Sequence, residues 1–227
     1  MPEGGANAIL PGMIDTPIAV DGPGLGPTFF EPAPDLVVRA GLFDGVPGDP
    51  ARPRRLTVRL SEREGALGIA EIEQRWGQGE ARLGAWAYST RVVSLAPRDA
   101  PGLINRGPYA FVEGPLAAPD EDGRLLDGWL RVGVAEARVN PIARYVGGGI
   151  VRRGIWSHND ALGLAVAHAV LSDGMETSIE ANYARSVSRR LIVQPTVQVI
   201  HNPGSSCRPT PTLALVIGAR LIWRSDG

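Results

Sequence analysis

The chain contains no lysine. All 23 basic residues are arginine, set against 24 acidic ones for a net charge of −1. So even a balance gives no electrostatic reason to expect a nucleic acid partner. Arginine forks suit sugar hydroxyls and anions, although coding bias in a GC-rich genome would give the same composition. The single cysteine, Cys207, excludes an internal disulfide. No apolar run reaches the ~18 residues of a transmembrane helix, so any membrane span must be made of strands. The opening residues, Met1-Pro2-Glu3-Gly4-Gly5, lack the basic and apolar regions of a signal peptide. The expectation is therefore a chain without one.

Catalytic patterns are also lacking. His158, His168 and His201 stand apart, without His or Cys at ligand spacing, so no metal site is expected. No Gly-x-Ser-x-Gly elbow offers a serine nucleophile. A phosphate loop would need a lysine and a strand-to-helix context around Gly147-Gly148-Gly149, and neither is present. Asp120-Glu121-Asp122-Gly123 lacks the later glutamate of a calcium loop and reads as a solvated turn. Glu176 and Glu180 share a strand face but lie ~13 Å apart at ~3.3 Å per residue, too far for a glycosidase pair. No catalytic residue, cofactor or metal is expected, and the chain reads as a non-enzyme.

What the sequence does contain is turn formers and period-two alternation. There are 29 Gly and 20 Pro, which fit many turns and small packed strands better than a helical bundle. Over 191–202, Leu191, Val193, Pro195, Val197 and Val199 fall on one face and Gln194, Thr196, Gln198 and Asn202 on the other, with Ile192 and Ile200 as exceptions. The run from Leu213 to Trp223 alternates less cleanly, and the one from Glu176 to Tyr183 sets Thr177, Ile179, Ala181 and Tyr183 against Glu176, Ser178, Glu180 and Asn182. Each run has ~10–12 residues, enough for a tilted strand to cross a bilayer and longer than the usual ~5–6.

The expected fold is all-β: an antiparallel meander of about 10–11 long strands, forming part or all of an outer-membrane β-barrel. Strands are expected near 34–43, 64–76, 80–91, 108–116, 125–138, 143–155, 160–171, 175–187, 190–202 and 211–223. Residues 1–33 read as an irregular Gly/Pro-rich segment with one further strand at most, near 26–30, and 224–227 as a tail. Connections mostly alternate tight and long, as barrel turns do on the two sides of an outer membrane. Two break the rule: 117–124 is of medium length on the short side, and 172–174 is short on the long side. On 64–76 the alternation fails, because Leu67 and Ile69 share a face with Glu71, Glu73 and Arg75. A bulge, or a strand leaving the bilayer, would account for it.

Several stretches resemble carbohydrate-selective porins of the OprB type. They are Val38-Arg39-Ala40-Gly41-Leu42-Phe43-Asp44-Gly45 with Pro47-Gly48-Asp49-Pro50, then Arg82-Leu83-Gly84-Ala85-Trp86, Tyr145-Val146-Gly147-Gly148-Gly149 and Leu162-Gly163-Leu164-Ala165-Val166-Ala167. The C-terminal series Glu176-Thr177-Ser178-Ile179-Glu180-Ala181-Asn182-Tyr183, Leu191-Ile192-Val193-Gln194-Pro195 and His201-Asn202-Pro203-Gly204 completes it. The resemblance spans roughly residues 35 to 223. It implies an outer-membrane location and passive diffusion of small sugars through a larger, sixteen-stranded barrel. On that basis the chain is expected to be the C-terminal portion of such a porin. A homo-oligomer or a missing N-terminal barrel half would be its partner, besides sugars and outer-membrane lipid.

Candidate channel-lining and sugar-binding residues are Arg82, Trp86, Trp129, Arg131, Glu180, Gln194, Gln198 and Arg220. Trp and Arg sharing a polar strand face suit sugars, whose apolar faces stack on rings while their hydroxyls bond charges. Arginine facing lipid at mid-bilayer costs ~2–4 kcal/mol, which favours the lumen. The two tryptophans would otherwise be girdle residues. A soluble β-sandwich carbohydrate-binding module, which also alternates, is the competing reading.

Overall fold

The computed structural model describes residues 24–44, 65–95, 102–120, 125–157, 159–188, 190–204 and 212–223. Cys207 and His158 lie outside them. The described residues form eleven strands and no helix: β1 (Gly24–Ala33), β2 (Leu36–Asp44), β3 (Ala66–Trp76), β4 (Gly79–Val92), β5 (Leu103–Pro115), β6 (Leu126–Val134), β7 (Ile142–Arg153), β8 (Asp160–Leu171), β9 (Gly174–Ser186), β10 (Leu191–His201) and β11 (Leu213–Trp223). They make one antiparallel sheet in chain order, each strand pairing only with its sequence neighbours. A sandwich needs two facing sheets, so that alternative falls.

Most boundaries agree with the sequence reading, and three need correction. β5 begins at Leu103, five residues before the expected start, and β6 stops at Val134 rather than running to 138. The segment near 26–30 is a ten-residue strand, β1. On β3 there is no bulge. Leu67 to Trp76 pair in unbroken register with Tyr88 to Gly79, and Leu36 to Asp44 pair with Gln74 to Ala66. Leu67 and Ile69 share the polar face because they pack there, with Trp86 and Tyr109 and beside Phe43 and Tyr88.

Local chemistry explains the turns. Between β3 and β4 the chain reverses over Gly77-Gln78, with Gly77 at φ +53°, which a side chain at that position would disfavour. Between β7 and β8, the buried Asp160 carboxylate accepts from the backbone N–H of Ile155 (2.8 Å), Trp156 (3.1 Å) and Ser157 (3.0 Å), and from Tyr183 Oη (2.8 Å). One side chain thus satisfies three turn amides and ties them to β9. Pro195, lacking an N–H, interrupts the β9–β10 ladder, which resumes in the same register at Thr196↔Asn182.

A single sheet left flat would expose both faces equally. Here one face is covered, with Ala167 at 0%, Glu180 at 1% and Ser178 at 1% exposure, while Ile179 on the other stands 61% exposed. Among the described residues only the strands of this sheet are there to cover that face, as in a sheet that curls around it. Side-chain size allows the curl: the inner face of β7 and β8 carries Gly147, Gly149, Gly163, Ala165, Ala167 and Ala169, the outer face Val146, Ile150, Leu164 and Val166.

Candidate functional site: the inner face of the curled sheet

Directly paired residues of an antiparallel sheet point the same way, so the register fixes each candidate's face. One row runs Gln198–Glu180–Ala165–Gly149–Trp129–Glu113–Glu80. The next runs Ser178–Ala167–Gly147–Arg131–Phe111–Arg82–Glu73. Gln194 pairs with Arg220 on the face of Gln198, and Trp86 lies on the face of Arg82, four residues along β4. All eight candidates therefore share the inner face. The outer face holds the apolar set, with Val197, Val199, Leu213, Leu215 and Ile217 all exposed.

The inner face has two chemically distinct parts. Across β2–β4 lies a lattice of ion pairs centred on Glu73, whose side chain is fully covered. Its carboxylate accepts from Arg39 and meets Arg75 and Arg82 (3.1 Å), while Arg39 also reaches Glu71 (3.1 Å) and Arg82 pairs with Glu80. Tyr109 Oη donates to Glu71 at 2.8 Å. Arg39, Arg75 and Arg82 balance Glu71, Glu73 and Glu80, so the group is neutral as a whole. Beside it, Arg131 lies over the Phe111 ring at 4.6 Å and the Trp129 ring at 5.4 Å, a cation–π arrangement that keeps the guanidinium on the inner side.

Across β9–β11 the face is amide and carboxylate. Gln194 Nε2 donates to Asn182 Oδ1 (3.1 Å), Asn182 Nδ2 to Glu180 Oε1 (3.3 Å), and Gln198 Nε2 to Ser178 Oγ (2.7 Å). Glu180 Oε2, Trp129 Nε1 and Tyr145 Oη are covered yet have no hydrogen-bond partner among the described residues.

Glycine makes room for the rings. A Cβ on Gly149 would sit 2.8 Å from Trp129 Nε1, and one on Gly84 would sit 2.3 Å from the Tyr109 ring. These are the close approaches that glycine inside a strand signals. Both tryptophans are recessed, Trp129 against Gly149 at 7% exposure and Trp86 in the cluster with Leu67 and Tyr109 at 5%. Their rings lie in the wall rather than standing free, on the face opposite the aliphatic one. Outward aromatics include Phe30, Trp76 and Trp223, all exposed, and Trp156, edge-on to Tyr183 at 5.0 Å.

At one end of the sheet the β6–β7 connection packs against its neighbours. Leu95 N–H and Ser94 Oγ both donate to the Arg138 carbonyl, Glu136 N–H donates to Arg106 O, and Asn140 Nδ2 to Asn105 Oδ1. Ala135 touches the cluster of Leu67, Trp86 and Tyr109. Sequence reasoning did not single out Arg39, Glu73, Tyr109 or Phe111, and it set Asn182 on the face of Glu180 without making it a candidate. The one signal present was the failed alternation on 64–76.

An antiparallel meander of long strands, polar and charged on one face and aliphatic on the other, is the pattern of a β-barrel wall. The family model for carbohydrate-selective porins of the OprB family matches residues 25–224. The chain belongs to that family. Its fold is similar to the high-pH structure of Pseudomonas putida OprB, with a TM-score of 0.74 at 18% identity, over 86% of this chain and 57% of that one. This OprB-family chain thus spans little more than half the length of that structure. No curated protein matches it in sequence.

Proposed function

We propose that these eleven strands form most of the wall of an outer-membrane channel through which small carbohydrates diffuse passively. Arg82, Trp86, Trp129, Arg131, Glu180, Gln194, Gln198 and Arg220 belong to its lining. The observation that carries this reading is that all eight share the inner face, opposite the aliphatic one.

The two parts of the lining divide the work. Arg131 supplies fixed positive charge, the guanidiniums of Arg131 and Arg82 supply N–H donors, and Glu180, Gln194 and Gln198 make the other side of the lining polar. Trp129 gives one ring face to the Arg131 guanidinium, so it serves by holding that cation rather than as an open stacking platform. The site releases what it binds because its contacts are single hydrogen bonds made in water. Each is worth about 0.5–1.5 kcal/mol net, as conduction requires.

Sugar flux into proteoliposomes carrying a completed barrel with this sequence tests the reading. Uptake of a monosaccharide should be linear in its gradient and should not need an energy source. Exclusion of monosaccharides by a barrel that conducts small ions would refute it.

A further inference from the structure

The two ends of the aliphatic face differ in chemistry. Connections at one end are tight, 34–35, 77–78 and 187–190 among them, whereas 45–65, 93–102 and 202–212 at the other are long. In an outer-membrane barrel the long connections lie outside the cell. Among the described residues the outward rings belong to the tight-turn end: Phe30, Trp76, Tyr183 and Trp223, with Trp156 in the turn after β7. Two outward arginines of that end each face an acid, Arg152 in an ion pair with Asp120 and Arg185 opposite Asp160.

The long-loop end carries a basic cluster instead. His168 on β8 lies opposite Thr177 on β9, and Thr177 opposite His201 on β10. Arg144 on β7 pairs with Val170, which makes it the diagonal neighbour of His168, ~7–8 Å away. Two residues further along the same strands stand Val166, Ile179 and Val199, all exposed, so the four polar residues share the aliphatic face. His168 Nδ1 is 2.9 Å from Thr177 Oγ1. With the hydroxyl donating to that nitrogen, the ring carries its proton on Nε2, a donor left for a ligand. Arg144 is exposed and forms no ion pair among the described residues. Arg106 on β5, also exposed, occupies the same end of the same face. The described acids of this end are held elsewhere. Glu176 faces inward and accepts from Gly204 N–H at 2.6 Å, Glu136 pairs with Arg138 at 2.8 Å, and Asp173 sits in the turn beyond Leu171↔Gly174. Basic groups on a lipid-facing surface are unfavourable unless headgroups supply the anions.

We propose that Arg144, His168, Thr177 and His201 bind the phosphate end of a phosphorylated glycolipid in the outer leaflet. Arg144 forks onto the phosphate oxygens. The two imidazoles, ~10 Å apart at ~4.8 Å per strand, flank it and donate to phosphate and sugar oxygens. The acyl chains lie on Val166, Ile179 and Val199, and Gly148, between Leu130 and Val166 in the same row, leaves a gap for one of them. The depth fits as well. His168 and Thr177 lie three residues inside the last pair of their ladder, ~10 Å along the strand, where headgroups meet acyl chains. The inference rests on the barrel reading and not on what the channel conducts.

A completed barrel carrying this sequence is titrated in detergent micelles with an acylated glucosamine disaccharide phosphorylated at both ends. The same lipid stripped of phosphate, and inorganic phosphate alone, are the comparisons, and native mass spectrometry measures what stays bound. The phosphorylated lipid should bind about fivefold tighter than the stripped one, the worth of one basic contact, and equal inorganic phosphate should not displace it. Arg144→Gln and His201→Leu should each weaken it about fivefold. Arg144→Lys should keep most of the affinity, and Arg152→Gln, at the other end, all of it. Heat-dependent gel mobility reports folding of every form, and an unmodified chain without that shift fails the barrel reading itself. With the barrel folded, the proposal is overturned if the two lipids bind alike, if Arg144→Gln and His201→Leu bind like the unmodified chain, or if inorganic phosphate displaces the lipid. Should Arg144→Gln not fold, His201→Leu and the comparison of the two lipids decide.

Discussion

Glu73→Gln is the most informative single change, because three arginines converge on one covered carboxylate. The substitution keeps shape and volume, removes the charge and turns an amide N–H₂ toward guanidiniums that cannot accept. Breaking a fully buried ion pair costs about 3–5 kcal/mol, whereas an exposed pair is worth ~0–1 kcal/mol. Glu73 is fully covered, but the side chains of Arg39, Arg75 and Arg82 are 24%, 47% and 37% exposed. Water therefore takes up part of the loss. Arg39 keeps Glu71, and Arg82 keeps Glu80. The expected destabilisation lies between the two limits, about 2–3 kcal/mol. Urea unfolding of a completed barrel, followed by tryptophan fluorescence, measures it against Glu80→Gln, which should lose under ~1 kcal/mol because it removes an edge of the lattice rather than its centre. The variant also leaves the group with one net positive charge, so anion preference should rise in conductance. A Glu73→Gln loss no larger than that of Glu80→Gln, with selectivity unchanged, would refute the lattice as the organising element of this wall.

Arg131→Ala and Arg220→Ala should each lower the anion-to-cation permeability ratio. A unit charge ~7 Å from an ion in water is worth about 0.6 kcal/mol, cut by more than half at ~0.15 M salt, so roughly a twofold change per arginine is expected in reversal potentials. Gly149→Ala should destabilise by about 1–3 kcal/mol through overpacking, since its Cβ would lie 2.7 Å from the Leu164 carbonyl oxygen. Gly218→Ala, whose Cβ meets nothing within 4 Å, serves as the neutral control in the same unfolding assay. Asp160→Asn sets an amide against the turn N–H groups and should cost ~1–3 kcal/mol, seen as an earlier unfolding midpoint. The chain by itself in plain buffer should associate through its unpaired edge strands, so a monodisperse monomer by light scattering would contradict an open sheet.

The strands were legible because lipid and lumen impose a strict period of two, and β10 shows how little noise that leaves. The faces of Gln194 and Gln198 follow from parity alone. The β5 start was missed because Leu103-Ile104-Asn105-Arg106-Gly107-Pro108 alternates poorly and holds a proline, while pairing with β4 still carries it. The overrun of β6 has the opposite cause: Ala135 to Val139 alternate acceptably but leave the sheet to pack on Leu95 and Arg106. On β3, an apolar cluster and a charged lattice occupy the same face, and only register could reveal that. Composition hid the recessing of both tryptophans too, because Trp129 depends on Gly149 one strand away and Trp86 on Leu67 and Tyr109 of other strands. Gly147-Gly148-Gly149 signalled a close approach without naming the ring that makes it.

The central claim is that one face of this sheet meets water and the other lipid, and labelling along β10 tests it most directly. With Cys207 replaced by serine, single cysteines at Thr196, Val197, Gln198, Val199 and Ile200 of a completed barrel in liposomes are exposed to a charged, membrane-impermeant thiol reagent. The account predicts modification at 196, 198 and 200 and protection at 197 and 199, with the pattern reversed for quenching by lipid-borne spin labels. Equal labelling at all five positions, or labelling at 197 and 199 alone, would contradict it.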